Sequence, residues 1–124
     1  MANQGQPLGV AIVGCGMIAR FHARALAEIP GTNLLALISR SGKNAQAMNE
    51  ELKLSCDIYP DLPPVLARKD IHIIIITTPS GALLEPAVEC ARAGKDVVVA
   101  VVNVSDKFSA TGVPTTTNGK LVVF

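Results

Sequence analysis

Apolar residues along this chain alternate between two spacings. Short continuous runs occur at Leu8–Val13, Asn33–Ser39, Ile71–Thr77 and Val97–Val104, and each is strand-sized. Segments with helical spacing lie between them, at Met17–Ile29, Asn44–Leu52 and Leu83–Ala93. In the first of these, Ile18, Phe21, Ala25 and Leu26 share one face, while Arg20, Arg24 and Glu28 are expected to face water. Pro30-Gly31 ends that helix. Asn44–Leu52 is built from good helix formers. Leu83–Ala93 carries Pro86 in its first turns and Gly94 as a C-cap. Two weaker elements remain. Cys56–Tyr59 reads as a short strand, and Pro60–Arg68 as a short helix with Asp61 as N-cap and Pro63 in the first turn.

The pattern breaks at both ends. Met1–Pro7 reads as a loose leader. Ser105–Gly119 is rich in Ser, Thr and Gly and has little periodicity. Within it, Asn118-Gly119 lies between Thr115–Thr117 and Leu121–Phe124, a sequence signal for a hairpin. The last four residues then form a final strand. The segment before them is also long enough for a crossover, so that strand can join the sheet in parallel or as a hairpin arm.

Strands alternating with helices imply βαβ units. The expected fold class is α/β: a doubly wound, Rossmann-like parallel sheet in three layers, forming a single domain over residues 1–124. Its ligand would sit at the carboxyl ends of the strands near the chain reversal. Composition sharpens this picture. Hydrophobic residues make up 49% of the 124 residues, with no Trp and only 3% aromatics. The core must therefore be aliphatic, as suits a parallel sheet covered on both faces. Lys+Arg of 11 against Asp+Glu of 10 leaves no basic footprint for a nucleic acid or a membrane surface. No apolar run reaches membrane-spanning length, and the polar N-terminus has no signal core. Cys15, Cys56 and Cys90 are widely spaced and form no CxxC pair, so they read as reduced, buried residues in a cytoplasmic protein.

The chemistry concentrates where the first strand stops. Gly14-Cys15-Gly16-Met17-Ile18-Ala19 fits G-x-G-x-x-G/A between a strand and a helix. Gly14 permits the tight turn, Gly16 lets the backbone approach a pyrophosphate, and Ala19 lets the helix pack close to the sheet. Backbone N–H groups of Gly14, Gly16, Met17 and Ile18, with the helix dipole behind them, would hold the phosphates. At the end of the second strand, where a carboxylate would bond the adenosine ribose, the chain has Ser39-Arg40-Ser41. A hydroxyl and a guanidinium offer donors to a 2′-phosphate, so NADP is favoured over NAD as the cofactor. Thr78, Pro79 and Ser80, at the end of the fourth strand, would approach the nicotinamide; the same turn equally suits plain capping of the next helix by Ser80. His22 and His72 show no carboxylate partner and no catalytic arrangement. Metal-ligand spacing, Walker loops and G-x-S-x-G are absent.

Three motifs resemble one family, the glucose–fructose oxidoreductases, inositol dehydrogenases and related oxidoreductases (Gfo/Idh/MocA). The first is Gly14–Leu26 with its glycines, His22 and Ala25-Leu26. The second is Ile73–Ser80 followed by Glu85 and Ala87. The third is Ala91-Arg92-Ala93-Gly94-Lys95-Asp96-Val97-Val98-Val99. The resemblance implies NAD(P)-dependent redox chemistry on sugars, polyols and related small molecules. It also implies a Glu-Lys-Pro segment whose lysine works in catalysis; Ala100, Val101 and Val102 stand there instead. Leu83 stands where the family often has histidine. The family's second, substrate-binding domain is expected to be missing, and the crossover helix before the last strand to be replaced by residues 105–120. The resulting expectation is an excised or re-engineered nucleotide domain that binds a dinucleotide, assigns no catalytic residue and pairs with a second copy through its last strand. An active or partner-completed oxidoreductase and a folding scaffold without ligand are the alternatives.

Overall fold

The computed structural model of the chain describes residues 7–78, 84–99 and 121–123. The elements alternate as the hydrophobic spacing requires: β1 (Leu8–Val13), α1 (Met17–Ala27), β2 (Thr32–Ile38), α2 (Lys43–Glu51), β3 (Asp57–Tyr59), α3 (Pro63–Leu66), β4 (Ile73–Ile76), α4 (Leu84–Arg92), β5 (Asp96–Val99) and β6 (Leu121–Val123). The strands form one sheet in the order β3-β2-β1-β4-β5-β6, and every neighbouring pair is parallel. The strand order reverses between β1 and β4, the crevice where doubly wound sheets bind ligands.

Side chains alternate across each strand, so β1 feeds two cores. Val10 and Ile12 pack with Leu37, Ile75, Ala19 and Ala23 of α1, and Ala45 and Met48 of α2. Ala11 and Val13 pack on the other face with Ile74, Ile76, Val97, Val65 of α3, and Ala87 and Cys90 of α4. These are the three expected layers.

Four local expectations need correction. The buried stripe of α1 is Ala19 and Ala23, while Phe21 is 57% exposed and Ala25 also faces solvent. Of the other two expected residues, Leu26 packs against the core and Ile18 is half-buried, while the small Ala19 and Ala23 take the buried positions against the sheet. Arg20, expected in water, is half-buried and paired with Glu51. The N-cap of α3 is Leu62 rather than Asp61, with no side-chain cap, and that helix spans one turn. His72 precedes β4 rather than lying within a strand: its N–H donates to Gly9 O at 2.8 Å, and its Nδ1 accepts the Gly9 N–H at 3.0 Å.

The last strand is settled. β6 pairs in parallel with β5, Val97 opposite Leu121. The leader's residues 1–6, the Ser105–Gly119 segment and the Asn118-Gly119 turn lie outside the described residues. Among the described residues no helix is long and apolar enough to cross a membrane.

Candidate functional site

Register brings the sequence-predicted residues together. Val13, the last residue of β1, pairs with Ile38 on one side and Ile76 on the other. The residues that follow, Gly14, Ser39 and Thr77, therefore emerge side by side at one edge of the sheet. The turn they form is sewn in place by backbone bonds. Gly14 N–H donates to Ile38 O at 2.9 Å, and Thr77 N–H donates to Val13 O at 2.8 Å. The Thr77 hydroxyl lies 3.0 Å from both Val13 O and Gly14 O. Sequence reasoning names Thr78, Pro79 and Ser80 but not Thr77, the residue that clamps the glycine turn to β4.

The two glycines do different work. Gly14 has φ +86°, and a Cβ there would lie 3.1 Å from Thr78 N and 3.2 Å from both Thr77 C and Oγ1. Its N–H is already taken by Ile38 O, so Gly14 makes the turn rather than donating to a phosphate. That corrects its expected donor role. Gly16 is exposed and extended, at φ −96° and ψ −158°, and caps α1. A Cβ there would meet nothing within 4 Å. Gly16, Met17 and Ile18 supply N–H groups that precede the i→i−4 ladder of α1, which opens with Arg20 N–H to Gly16 O. These donors stand at the positive end of the helix dipole, next to the open space that a Cβ at Gly16 would enter, a combination that suits a phosphate. Ala19 is fully buried, as its packing role requires.

The adenosine end is equally ordered. Ser39 is half-buried; its N–H donates to Tyr59 O at 3.0 Å, and its carbonyl accepts from Gly42 N–H at 3.2 Å. Arg40 is exposed. Lys43 opens α2 beside it, with its N–H on the Ser41 hydroxyl at 3.3 Å. Thr78 is half-buried at the same sheet edge, whereas Leu83, Pro79, Ser80 and Ala100–Val102 lie outside the described residues.

Among the described residues, none of the titratable groups near the turn is set up as a nucleophile. Burial pushes the Cys15 thiol up to about 11, partly opposed by the Arg20 charge, and the thiol sits 3.8 Å from Ile38 O. Burial lowers the His22 pKa. His72 belongs to the opposite, amino-terminal edge of the sheet.

A parallel doubly wound sheet with a glycine turn at its switch point is a Rossmann domain of the dinucleotide-binding class. The chain belongs to the oxidoreductase family with an NAD-binding Rossmann fold (GFO_IDH_MocA), which it matches over residues 8–100. It is 32% identical over 90 residues to 2,7-anhydro-N-acetylneuraminate hydratase of Mediterraneibacter gnavus, covering 73% of this chain and 23% of that protein. It is also 32% identical over 91 residues to inositol 2-dehydrogenase of Salmonella typhimurium, covering 73% and 27%. The chain thus spans about a quarter of the length of these relatives. Among solved structures, a variant of KijD10, a 3-ketoreductase from Actinomadura kijaniata in complex with TDP-benzene and NADP, aligns with TM-score 0.69 and 27% identity over 77% of this chain and 30% of that one. GenD2 from gentamicin A biosynthesis, in complex with NAD, aligns with TM-score 0.69 and 27% identity over 77% and 27%.

Proposed function

We propose that this chain binds a nicotinamide dinucleotide at the carboxyl edge of its sheet, with NADP preferred over NAD. Gly16, Met17 and Ile18 hold the pyrophosphate through backbone N–H groups, Ser39 and Arg40 hold the adenosine end, and the turn beginning Thr78-Pro79-Ser80 lies toward the nicotinamide. The observation that carries this reading is the contrast between Gly14, where a side chain would strike the chain itself, and Gly16, where it would strike nothing. An exposed glycine with open space before it, at the mouth of a helix, is what a closely approaching phosphate needs.

The test follows from that contrast. Gly16→Ala will change folding stability by no more than about 1 kcal/mol, since a poorer N-cap and a stiffer unfolded chain oppose each other. It will weaken dinucleotide binding at least about tenfold in calorimetry, because the new methyl occupies the space of the phosphate and costs it a charged hydrogen bond. Unchanged affinity would defeat the proposal.

The cofactor preference rests on Ser39, Arg40 and the start of α2. Two cations and two hydroxyls surround the end of β2, and no carboxylate stands in the Ser39-Arg40-Ser41-Gly42-Lys43 turn. Ser39→Asp will weaken NADP about tenfold or more by like-charge repulsion while retaining or improving NAD. Weaker NAD binding in that variant would remove Ser39 from the adenosine site. Three buried free thiols fit a reducing, cytoplasmic setting for such a domain.

A further inference from the structure

The half-buried Arg20 has a place in this site that the glycine motif alone does not explain. We propose that Arg20 is a positioning residue for the phosphate-binding turn, acting on the backbone rather than on the ligand. The inference rests on the dinucleotide reading. Arg20 Nη1 donates to Cys15 O at 3.1 Å and to Gly16 O at 3.1 Å. Its main-chain N–H donates to the same Gly16 carbonyl at 3.3 Å. Its Nε is held by Glu51 Oε2 at 2.7 Å, from the last turn of α2.

The consequence follows from peptide geometry. In a trans peptide the C=O and the next N–H point in opposite directions within one rigid plane. Pinning Cys15 O toward the guanidinium therefore turns the Gly16 N–H away from it. Pinning Gly16 O does the same for the Met17 N–H. Those two N–H groups are donors the pyrophosphate would use. A flipped plane would instead aim a carbonyl oxygen at the phosphate, replacing attraction by repulsion. Glycine is the residue type most able to flip, because it populates both signs of φ. The freedom that lets Gly16 approach a phosphate is thus restrained from behind by one side chain four residues on. Glu51 fixes the guanidinium's rotation, coupling α2, whose first turn adjoins Ser39 and Arg40, to the turn that binds the pyrophosphate.

The experiment compares two ligands on the full chain. ADP-ribose carries the adenosine and the pyrophosphate, whereas adenosine lacks the phosphates. Arg20→Met will weaken ADP-ribose about tenfold, the worth of a charged hydrogen bond, and leave adenosine, titrated by NMR, unchanged. Arg20→Lys, which keeps the charge and a donor but not the fork, will fall between the two, and it carries the same comparison if the methionine variant is too unstable to titrate. In the ligand-free chain, hydrogen exchange at the Gly16 and Met17 amides will differ between wild type and Arg20→Met. Full ADP-ribose affinity in a folded Arg20→Met would overturn the proposal while leaving the dinucleotide reading intact. Equal losses for both ligands would overturn it in favour of a general structural role. A wild-type chain that binds neither ligand would overturn the dinucleotide reading and this proposal with it.

Discussion

Gly9→Ala will cost this protein at least about 4 kcal/mol of folding stability, enough to leave little soluble material. Gly9 does not need a left-handed backbone; it needs to have no side chain. A Cβ at Gly9 would lie 1.8 Å from Asp70 O, 2.8 Å from Asp70 C and 2.8 Å from Leu35 Cδ1. Leu35 can rotate away, but the Asp70 backbone cannot. The chain at Gly9 is fixed by both of its hydrogen bonds to His72. Asp70 follows Arg68, whose guanidinium grips both carboxylate oxygens at 2.9 and 2.7 Å and reaches Asp57 at 2.8 Å. That grip lowers the Asp70 pKa, its side-chain bond to Arg68 being the first cause. The clash also falls on β1, which pairs with both β2 and β4, so relief cannot come from fraying an edge. Urea unfolding of whatever folds will read the loss. Gly31→Ala is the control: its Cβ would meet nothing within 4 Å, and φ +88° is its only strain, so its cost will stay near 1–2 kcal/mol, roughly that of one left-handed residue. Equal losses at the two positions would mean that the Asp70 contact does not govern.

Gly9 also marks the limit of what the sequence discloses. The strand–turn–helix around Gly14-Cys15-Gly16 is local: a strand-sized run, two glycines and a helical period are adjacent in the chain, and the glycine turn is legible from them. So is the doubly wound order, because alternating elements admit few parallel topologies. What was not legible depends on residues meeting across the sheet. Gly9 matters because Asp70, sixty-one positions later, passes over it. Thr77 matters because register puts its hydroxyl against Gly14 O. Arg20 looked like a solvated charge on a helix, and only the fold reveals the carbonyls beneath it. In α1, period alone favours large apolar side chains; it finds Leu26 but not Ala19 and Ala23, the small residues that lie buried against the sheet.

The molecule therefore separates its tasks by edge. At the carboxyl edge, Gly14, Thr77 and Arg20 hold the glycine turn in place. At the amino edge, Gly9, His72, Asp70 and Arg68 lock β1 to β4 and to the α3–β4 connection. On the proposed function, substitutions at the carboxyl edge will change ligand affinity, and substitutions at the amino edge will change stability with affinity preserved in whatever folds.

Lys95 lies on the amino edge and gives the second large effect. It immediately precedes β5, is buried, and its Nζ donates to Arg68 O and Ile71 O, each at 2.6 Å. Two short charge-assisted bonds thus hold the connection that carries Asp70 over Gly9. Lys95→Met keeps the length of the stem but leaves two carbonyls without this partner, and will cost about 3 kcal/mol of stability. ADP-ribose affinity in the folded fraction will be unchanged, because the site lies at the far ends of the strands. The pH dependence has a sign of its own. Burial lowers the Lys95 pKa below its ordinary value of 10.5, so in alkaline solution the unfolded chain binds more protons there than the folded one. This group's contribution rises with pH up to the ordinary lysine value and is lost as pH falls through its lowered folded value. The thiols act oppositely. Burial raises Cys15 and Cys56 to about 11 and Cys90 to about 12, which lowers stability above about pH 9, the ordinary thiol value. Cys15 and Cys56 cancel in the difference between wild type and Lys95→Met; Cys90 feels the Lys95 charge, but burial keeps its thiol protonated in the folded chain through about pH 10, so the difference follows the lysine. That difference in unfolding free energy, measured in urea at pH 7, 9 and 10, will widen as pH rises. A constant or narrowing gap would show that Lys95 enters the fold without losing hydration, and its two 2.6 Å bonds would then have to carry the whole deficit unaided by linkage.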